Sequence, residues 1–248
     1  MPGWVIVVER KHQETKTVAA TIRPGEVFAH RGDFDQGIRT LLPHYDELLT
    51  ALSRCVPPTA QRILDLGCGT GNLSARIRQR LPQVQITAMD YSPEMLMQAQ
   101  QKLPPAQTTF ITADFGAWAL DPQAFPPIAP VDACVSSLAI HHLSDAMKAQ
   151  LFRQIFAHLR PGGCFWNADP VLAPHPWHAT LYQRVRQEES AVAPIPARGT
   201  VVPCGYSHPD QLATLADQLD LLKAAGFEAV AAVWQWFGLA IFGGYVPE

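Results

Sequence analysis

No run of five or more basic residues occurs in the chain, and its formal net charge is −3. The electrostatic footprint of nucleic-acid binding is missing, so a nucleic-acid partner is not expected. The five cysteines (Cys55, Cys68, Cys134, Cys164, Cys204) are odd in number and lack CxxC spacing. That excludes a disulfide or zinc framework and suits reduced thiols in a cytoplasmic protein. No apolar stretch reaches the ~18 residues of a membrane span. The opening MPGWVIVVERKHQ is too short, and too charged after Val8, for a signal peptide. No segment repeats at a fixed period. What is present is 48% apolar residues against 17% charged, the balance of a globular chain with material for a core. At 248 residues it suits one α/β domain with insertions.

The patterns alternate. WVIVVER reads as a short strand in an N-terminal stretch, 1–32, that matches nothing else. From Asp33 the spacing turns helical, with Pro43 placed to end one helix and open the next. In that second helix Tyr45, Leu48, Leu49 and Leu52 form one apolar stripe. RILDL, VQITAM, TTFIT, VDACVSSLAI and CFWNAD read as five strands, the last entered by a turn at ArgProGlyGly. Helices lie between them: NLSARIRQRL, one started by Ser92-Pro93-Glu94, and one capped by Ser144 with Met147, Leu151, Phe152, Ile155, Phe156 and Leu159 on its buried face. Residues 170–206 break the rhythm with prolines and aromatics around a helix near 175–190. Pro209 then opens a helix closed by Gly226, and EAVAAVW and WFGLAIF, whose Trp234 and Trp236 read as strand core, form a final antiparallel pair. Alternation of this kind implies a doubly wound, mostly parallel sheet, with ligands beyond the carboxyl ends of its strands.

The stretch ILDLGCGTGN ends the first strand and starts its helix, so its backbone N–H groups face the ligand crevice. A dinucleotide asks for G-x-G-x-x-G; here the spacing is G-x-G-x-G, and Asp65 stands at the entrance. A carboxylate repels a pyrophosphate and attracts an ammonium, so the site expects a zwitterion such as S-adenosylmethionine. Asp90 ends the second strand, where an acid accepts from ribose hydroxyls; Asp114-Phe115 follows the third, where an acid meets an adenine amino group and an aromatic packs on the ring. Three acids at three strand ends match three parts of one ligand.

The segments DLGCGTGN, MDYSPEML, TADF, SSLAIHHLSD and LRPGGCFWNAD resemble the successive motifs of class I S-adenosylmethionine-dependent methyltransferases, in their small-molecule branch. The resemblance covers 33–169, and 207–242 as a final helix and hairpin. It implies a seven-stranded sheet with an antiparallel last strand inserted between its neighbours, helices on both faces, and S-adenosylmethionine as cofactor with S-adenosylhomocysteine as product. It implies that Gly67, Cys68 and Gly69 lie at the methionine end beside Asp65, that Asp90 holds the ribose and Asp114 the adenine. It further implies that Met89, Tyr91, Met95 and Phe115 pack about the adenosine and that Ser137 and Leu138 sit near the sulfonium. DFDQGIRTLLPHYDELL resembles a cofactor-covering segment, which directs Arg39 and Tyr45 to the methionine carboxylate or the lid. The expected organisation is a single domain: extension 1–32, covering helices 33–56, core 60–169, variable lid 170–206, and final helix and hairpin 207–248.

His141 and His142 follow the fourth strand, at the rim where cofactor and acceptor meet, and are the candidate bases, with loop capping as the structural alternative. His175, His178, Tyr182 and Arg186 are candidate acceptor contacts in the lid, against the alternative of a solvated insertion. No carboxylate or cysteine completes a metal site with His175 and His178, so none is expected. His158, at a helix C-terminus, suits a structural charge, and Cys68 a packing role. Three other functions stay open. A tRNA-modifying enzyme of this fold would need a basic patch; a nicotinamide-dependent oxidoreductase is opposed by Asp65 and the glycine spacing; a non-catalytic cofactor-binding subunit would have a blocked acceptor cavity.

Overall fold

The computed structural model describes residues 34–189 and 211–248. The expected N-terminal strand, Arg198, Tyr206, His208 and Pro209 lie outside the described residues. Two helices, α1 (Phe34–Leu41) and α2 (Tyr45–Cys55), precede an alternating core. That core runs β1 (Arg62–Leu66), α3 (Asn72–Arg80), β2 (Gln85–Asp90), α4 (Pro93–Lys102), β3 (Thr108–Thr112), α5 (Phe115–Leu120), β4 (Val131–Ser137), α6 (Asp145–His158) and β5 (Leu159–Pro170). It is followed by α7 (Pro176–Glu189), α8 (Leu215–Ala225), β6 (Glu228–Trp236) and β7 (Leu239–Tyr245).

The sheet order is β3-β2-β1-β4-β5-β7-β6, parallel through β5, with β7 antiparallel between β5 and β6. This is the expected class I arrangement. The central strands β1, β2 and β4 are short runs buried on both faces, as parallel sheets require, while the edge strands β3 and β6 are more exposed. One face packs on α1 to α4 through Leu48, Leu49, Leu52 and Ile77; the other packs on α5, α6 and α8 through Trp118, Phe152, Ile155 and Leu222. Each of the fully buried Leu, Ile and Phe side chains among these contributes about 1.5–3 kcal/mol by leaving water.

Several boundaries differ from expectation for local reasons. β4 stops at Ser137 because Leu138 takes a left-handed backbone, φ 54°, and Ile140–His142 form a single 3-10 turn. The ArgProGlyGly turn lies inside β5 as an irregularity, and Leu159 belongs to that strand, not to the helix before it. The last helix starts at Leu215, not near Pro209, because the Thr214 hydroxyl accepts from the Asp217 N–H. Leu212 therefore precedes it. Pro43 lies one residue before the cap of α2, outside its first turn. A short helix, α5, follows Asp114, where none was expected.

Candidate functional site

The strand order reverses between β1 and β4, so the crevice opens where the turns after those two strands meet. They meet closely. Gly67 has φ 67°, and a Cβ there would lie 2.5 Å from the Ala139 Cβ and 3.2 Å from Phe115. Only glycine lets the loop after β4 cross the turn after β1. At Gly69 (φ 53°) an added Cβ would meet nothing within 4 Å, so its backbone faces open space. The third glycine is packed: a Cβ at Gly71 would approach Ala99 of α4 at 3.0 Å. One glycine turn thus holds two packing positions and one that opens on the crevice.

Asp90 lies across from Gly69. Its Oδ2 accepts from the Gly69 N–H at 2.8 Å and its Oδ1 from the Ser92 N–H at 2.9 Å. Burial pushes its carboxyl above the usual carboxylate range, opposed by the backbone N–H groups of Ser92, Gly69 and Tyr91. Asp65 is sealed beneath the turn. Its Oδ2 accepts from the Ser74 hydroxyl at 2.6 Å, while its Oδ1 is buried without a partner. Burial, with the nearby charge of Asp90 adding to it, pushes its carboxyl up to about 7 against the Ser74 hydrogen bonds. Asp114 is half-buried, and its Oδ1 caps α5 through the Gly116 N–H at 2.8 Å. Met95 and Phe115 are buried and Tyr91 half-buried along the same strand ends. Cys68 is buried, and burial pushes its thiol far up, so it is an inert packing group.

Above the glycine turn, α1 and α2 are tied down by polar contacts. Asp35 accepts from Thr70 and Asn72, at 2.7 and 2.8 Å, and from Lys102. Burial acts against its charge, but these three donors hold it below the usual carboxylate range. The Tyr45 hydroxyl accepts from Asn72 at 3.1 Å, and burial raises the phenol to about 12. Arg39 is exposed and turned to Asp46, which it binds through Nε and Nη2 at 2.9 and 3.1 Å.

After β4 the chemistry changes. His141 is buried, with Nδ1 2.8 Å from Asp169 Oδ1, and its ring lies 4.0 Å from that of His142, tilted by 40°. Asp169 is fully buried on β5, and its Oδ2 accepts from Asn167 Nδ2 at 2.9 Å. The Ser137 hydroxyl is buried without a partner at the end of β4. Lys148 of α6 is also fully buried; its ammonium donates to Asp145 at 3.0 Å and to the Gln211 carbonyl. Gln211 in turn donates its N–H to the His141 carbonyl at 2.9 Å, fixing the chain after residue 210 on the histidine turn.

Along α7, His175 and His178 are exposed with rings 6.3 Å apart; His178 lies 6.3 Å from Tyr182, whose ring meets Phe237 at 5.8 Å. Arg186 is exposed. Among the described residues no group of three or more potential metal ligands occurs. His158 packs edge-on against Trp118 and Phe125, and burial lowers its basicity, so the expected helix-end charge gives way to a neutral ring. Trp236 is exposed and not strand core, its indole N–H donating to Glu189, whereas Trp234 is half-buried against the core and its N–H donates to Glu47.

Asp169, Asn167, Lys148 and Gln211 were not singled out from the sequence. Asp169 carried a usable signal, an acid at the end of the fifth strand, like Asp90 at the end of the second. Lys148 carried none, because a lysine in an amphipathic helix ordinarily reads as solvated.

A family model described as a methyltransferase domain matches residues 63–163. A trans-aconitate 2-methyltransferase from Azoarcus sp. is 35% identical over 200 residues, which are 75% of this chain and 70% of the relative. The chain belongs to the class I S-adenosylmethionine-dependent methyltransferases. A trans-aconitate 2-methyltransferase from Paracidovorax citrulli is 29% identical over 205 residues, 79% of this chain and 75% of the relative. Among solved structures, an O-methyltransferase family protein from Burkholderia thailandensis superposes with a TM-score of 0.62 at 14% identity. Human N-acetylserotonin methyltransferase, in complex with S-adenosylmethionine, superposes at 0.54 and 19%. The matches cover 86% and 90% of this chain but 58% and 54% of those chains, a likeness of fold.

The residues of the methyltransferase crevice fit the family's cofactor. Gly69 leaves open space where a side chain would stand, and the partnerless Asp65 oxygen suits an ammonium. The Asp90 carboxylate is aimed by backbone donors and keeps lone pairs for two hydroxyls.

Proposed function

We propose that this methyltransferase acts on a small-molecule acceptor seated between the ends of β4 and β5 and helix α7, and that His141 handles the acceptor's proton. The observation that carries the reading is the buried His141–Asp169 pair. A carboxylate oxygen facing Nδ1 favours the tautomer with the hydrogen on Nδ1, in which Nε2 carries the basic lone pair. Asn167 holds the second Asp169 oxygen, which fixes the carboxylate and, through it, the imidazole.

The bound cofactor supplies a methyl group on a sulfonium, open to in-line displacement. The chain's part is to bind, align and exclude water. Asp90 takes the ribose hydroxyls, Asp114 the adenine amino group with the oxygen not used for capping, and Met95, Phe115 and Tyr91 pack the adenosine. Gly67, Cys68 and Gly69 form the backbone wall of the methionine end, with Asp65 beneath and Ser137 as a hydroxyl donor. Tyr45 closes the covering helices through Asn72, and Arg39 braces them through Asp46. His142, His178 and Tyr182 line the acceptor side, with His175 and Arg186 at its outer edge. Alignment of this kind is worth ~7–11 kcal/mol of barrier, and a positioned base a further ~10²–10⁴-fold.

Two acceptor classes remain, and one observation favours each. The names of the relatives favour a carboxylate, which arrives deprotonated at neutral pH and would take a hydrogen bond from protonated His141. The Asp169 dyad favours a hydroxyl, which needs a base. Release of S-adenosylhomocysteine with trans-aconitate and with a panel of phenols tests both. Full rates in both His141→Gln and Asp169→Asn would overturn the role given to the pair.

A further inference from the structure

Asp65 and Asp90 are two buried carboxylates on adjacent strands, and their surroundings differ. Asp90 has backbone N–H groups of Ser92, Gly69 and Tyr91 against its burial. Among the described residues Asp65 has only Ser74 on α3, and one of its oxygens has no partner. The other groups facing Asp65 are the thiols of Cys68 and of Cys134 on β4, both kept neutral by burial. Among the described residues no lysine, arginine or histidine acts on it. A carboxylate so placed is costly to keep ionised, because an unpaired buried charge neutralises by taking up a proton.

We propose that Asp65 holds a proton in the cofactor-free protein and gives it up when the ammonium end of the cofactor seats over the glycine turn, so that cofactor binding is an exchange of a proton for a cation. The inference rests on the family's cofactor and not on the acceptor chemistry proposed above. The balance is simple: the O–H bond of the Asp65 carboxyl breaks, the proton passes to buffer, and the ammonium compensates the charge left behind. Asp90 cannot be the proton's store to the same degree, since its three backbone donors already stabilise the anion. The sign follows. Below pH 7 the proton must be displaced and the cofactor binds more weakly; above it Asp65 is already ionised and the dependence fades. The apo protein's stability moves the opposite way: the raised carboxyl contributes stability that is lost as pH rises through about 7.

Calorimetric titration of the full chain with S-adenosylhomocysteine, in buffers of small and large ionisation enthalpy, reads the proton directly. About half a proton should be released at pH 7, nearly one at pH 6 and little at pH 8. Affinity should tighten by up to ~10-fold per pH unit between pH 5.5 and 7. The analogue 5′-methylthioadenosine, which keeps the adenosine and thioether but lacks the amino-acid end, should bind with no such release. Asp65→Asn should abolish the release. Should that variant not fold, Ser74→Ala removes the one side-chain donor and should move the release to higher pH. A binding enthalpy independent of buffer, equal release with methylthioadenosine, an unmoved profile in Ser74→Ala, or no binding of S-adenosylhomocysteine at all would each overturn the proposal.

Discussion

The two halves of the proposed site, one for the cofactor and one for the acceptor, are built by different means. On the cofactor side, polar groups are aimed by backbone: Asp90 by the N–H groups of Gly69 and Ser92, Asp114 by that of Gly116, and the glycines by packing against Ala139 and Ala99. On the acceptor side, side chains do the aiming, those of His141 and Lys148 across long sequence gaps and that of Asn167 from two residues away on the same strand. His141 meets Asp169, Asn167 meets Asp169, and Lys148 holds Gln211, 63 residues away, against the histidine turn. The first construction needs only short consecutive motifs and tolerates one ligand. The second can be re-aimed by single substitutions while the sheet stays unchanged, which suits the part of an enzyme that must vary with its substrate.

Substitutions should separate the halves, and the largest effect belongs to catalysis. Asp169→Asn keeps the shape but disturbs the imidazole's tautomer; methyl transfer to a hydroxyl acceptor should fall ~10²–10⁴-fold in a single-turnover assay. The dissociation constant of S-adenosylhomocysteine should stay within about twofold. A parallel loss of cofactor affinity would mean the halves are not separate. Next in size, Gly67→Ala meets both a left-handed backbone and Ala139 at 2.5 Å, and should cost about 2–4 kcal/mol in urea denaturation. Gly69→Ala, with open space around it, should cost only about 1–2 kcal/mol yet weaken cofactor binding more than its stability loss suggests. Equal stability losses at the two glycines would contradict the packing account.

Lys148→Met should then cost about 1–3 kcal/mol, because the Gln211 carbonyl loses its buried donor, with cofactor affinity unchanged. The smallest effect lies at the surface. Both nitrogens of His44 face carboxylates, Glu47 at 3.1 Å and Glu189 at 3.2 Å, and its ring lies 4.5 Å from that of Trp236. Partial burial opposes its charge, but the two carboxylates raise its basicity above the ordinary histidine value of 6.5. The stability this adds is fully present below pH 6.5 and is lost as pH rises through the higher folded value. Thermal melts of wild type should show that slope, and Glu189→Gln should flatten it slightly; an unchanged slope would remove His44 from the account.

The same contrast explains what could be read from the sequence. The glycine turn, the strand-end acids and the Ser92 and Ser144 caps are local, so residue order announces them. The inserted antiparallel β7 was legible only through the resemblance, because strand order depends on packing partners that no short window contains. Leu138 with φ 54° is invisible in sequence, since nothing in a leucine signals a left-handed residue; the crossing over Gly67 accompanies it. The tryptophans of β6 read as core because they are large and apolar, yet Trp236 is exposed and both N–H groups found carboxylates on α2 and α7. Asp114, read from the sequence as an adenine contact, caps a helix with one oxygen, a local role that its place before an unexpected helix hid.

The central claim is that the strand-end crevice of β1 and β2, with Asp90 aimed by Gly69 and Ser92, holds the cofactor. Calorimetric titration of the wild type and of Asp90→Ala with S-adenosylhomocysteine, with NAD as competing ligand, tests it most directly. The account predicts binding to the wild type, weakening by ~10-fold or more in the variant on loss of the ribose hydrogen bonds, and no binding of NAD. Undiminished affinity in the variant would place the cofactor elsewhere, and binding of NAD alone would contradict the cofactor assignment itself.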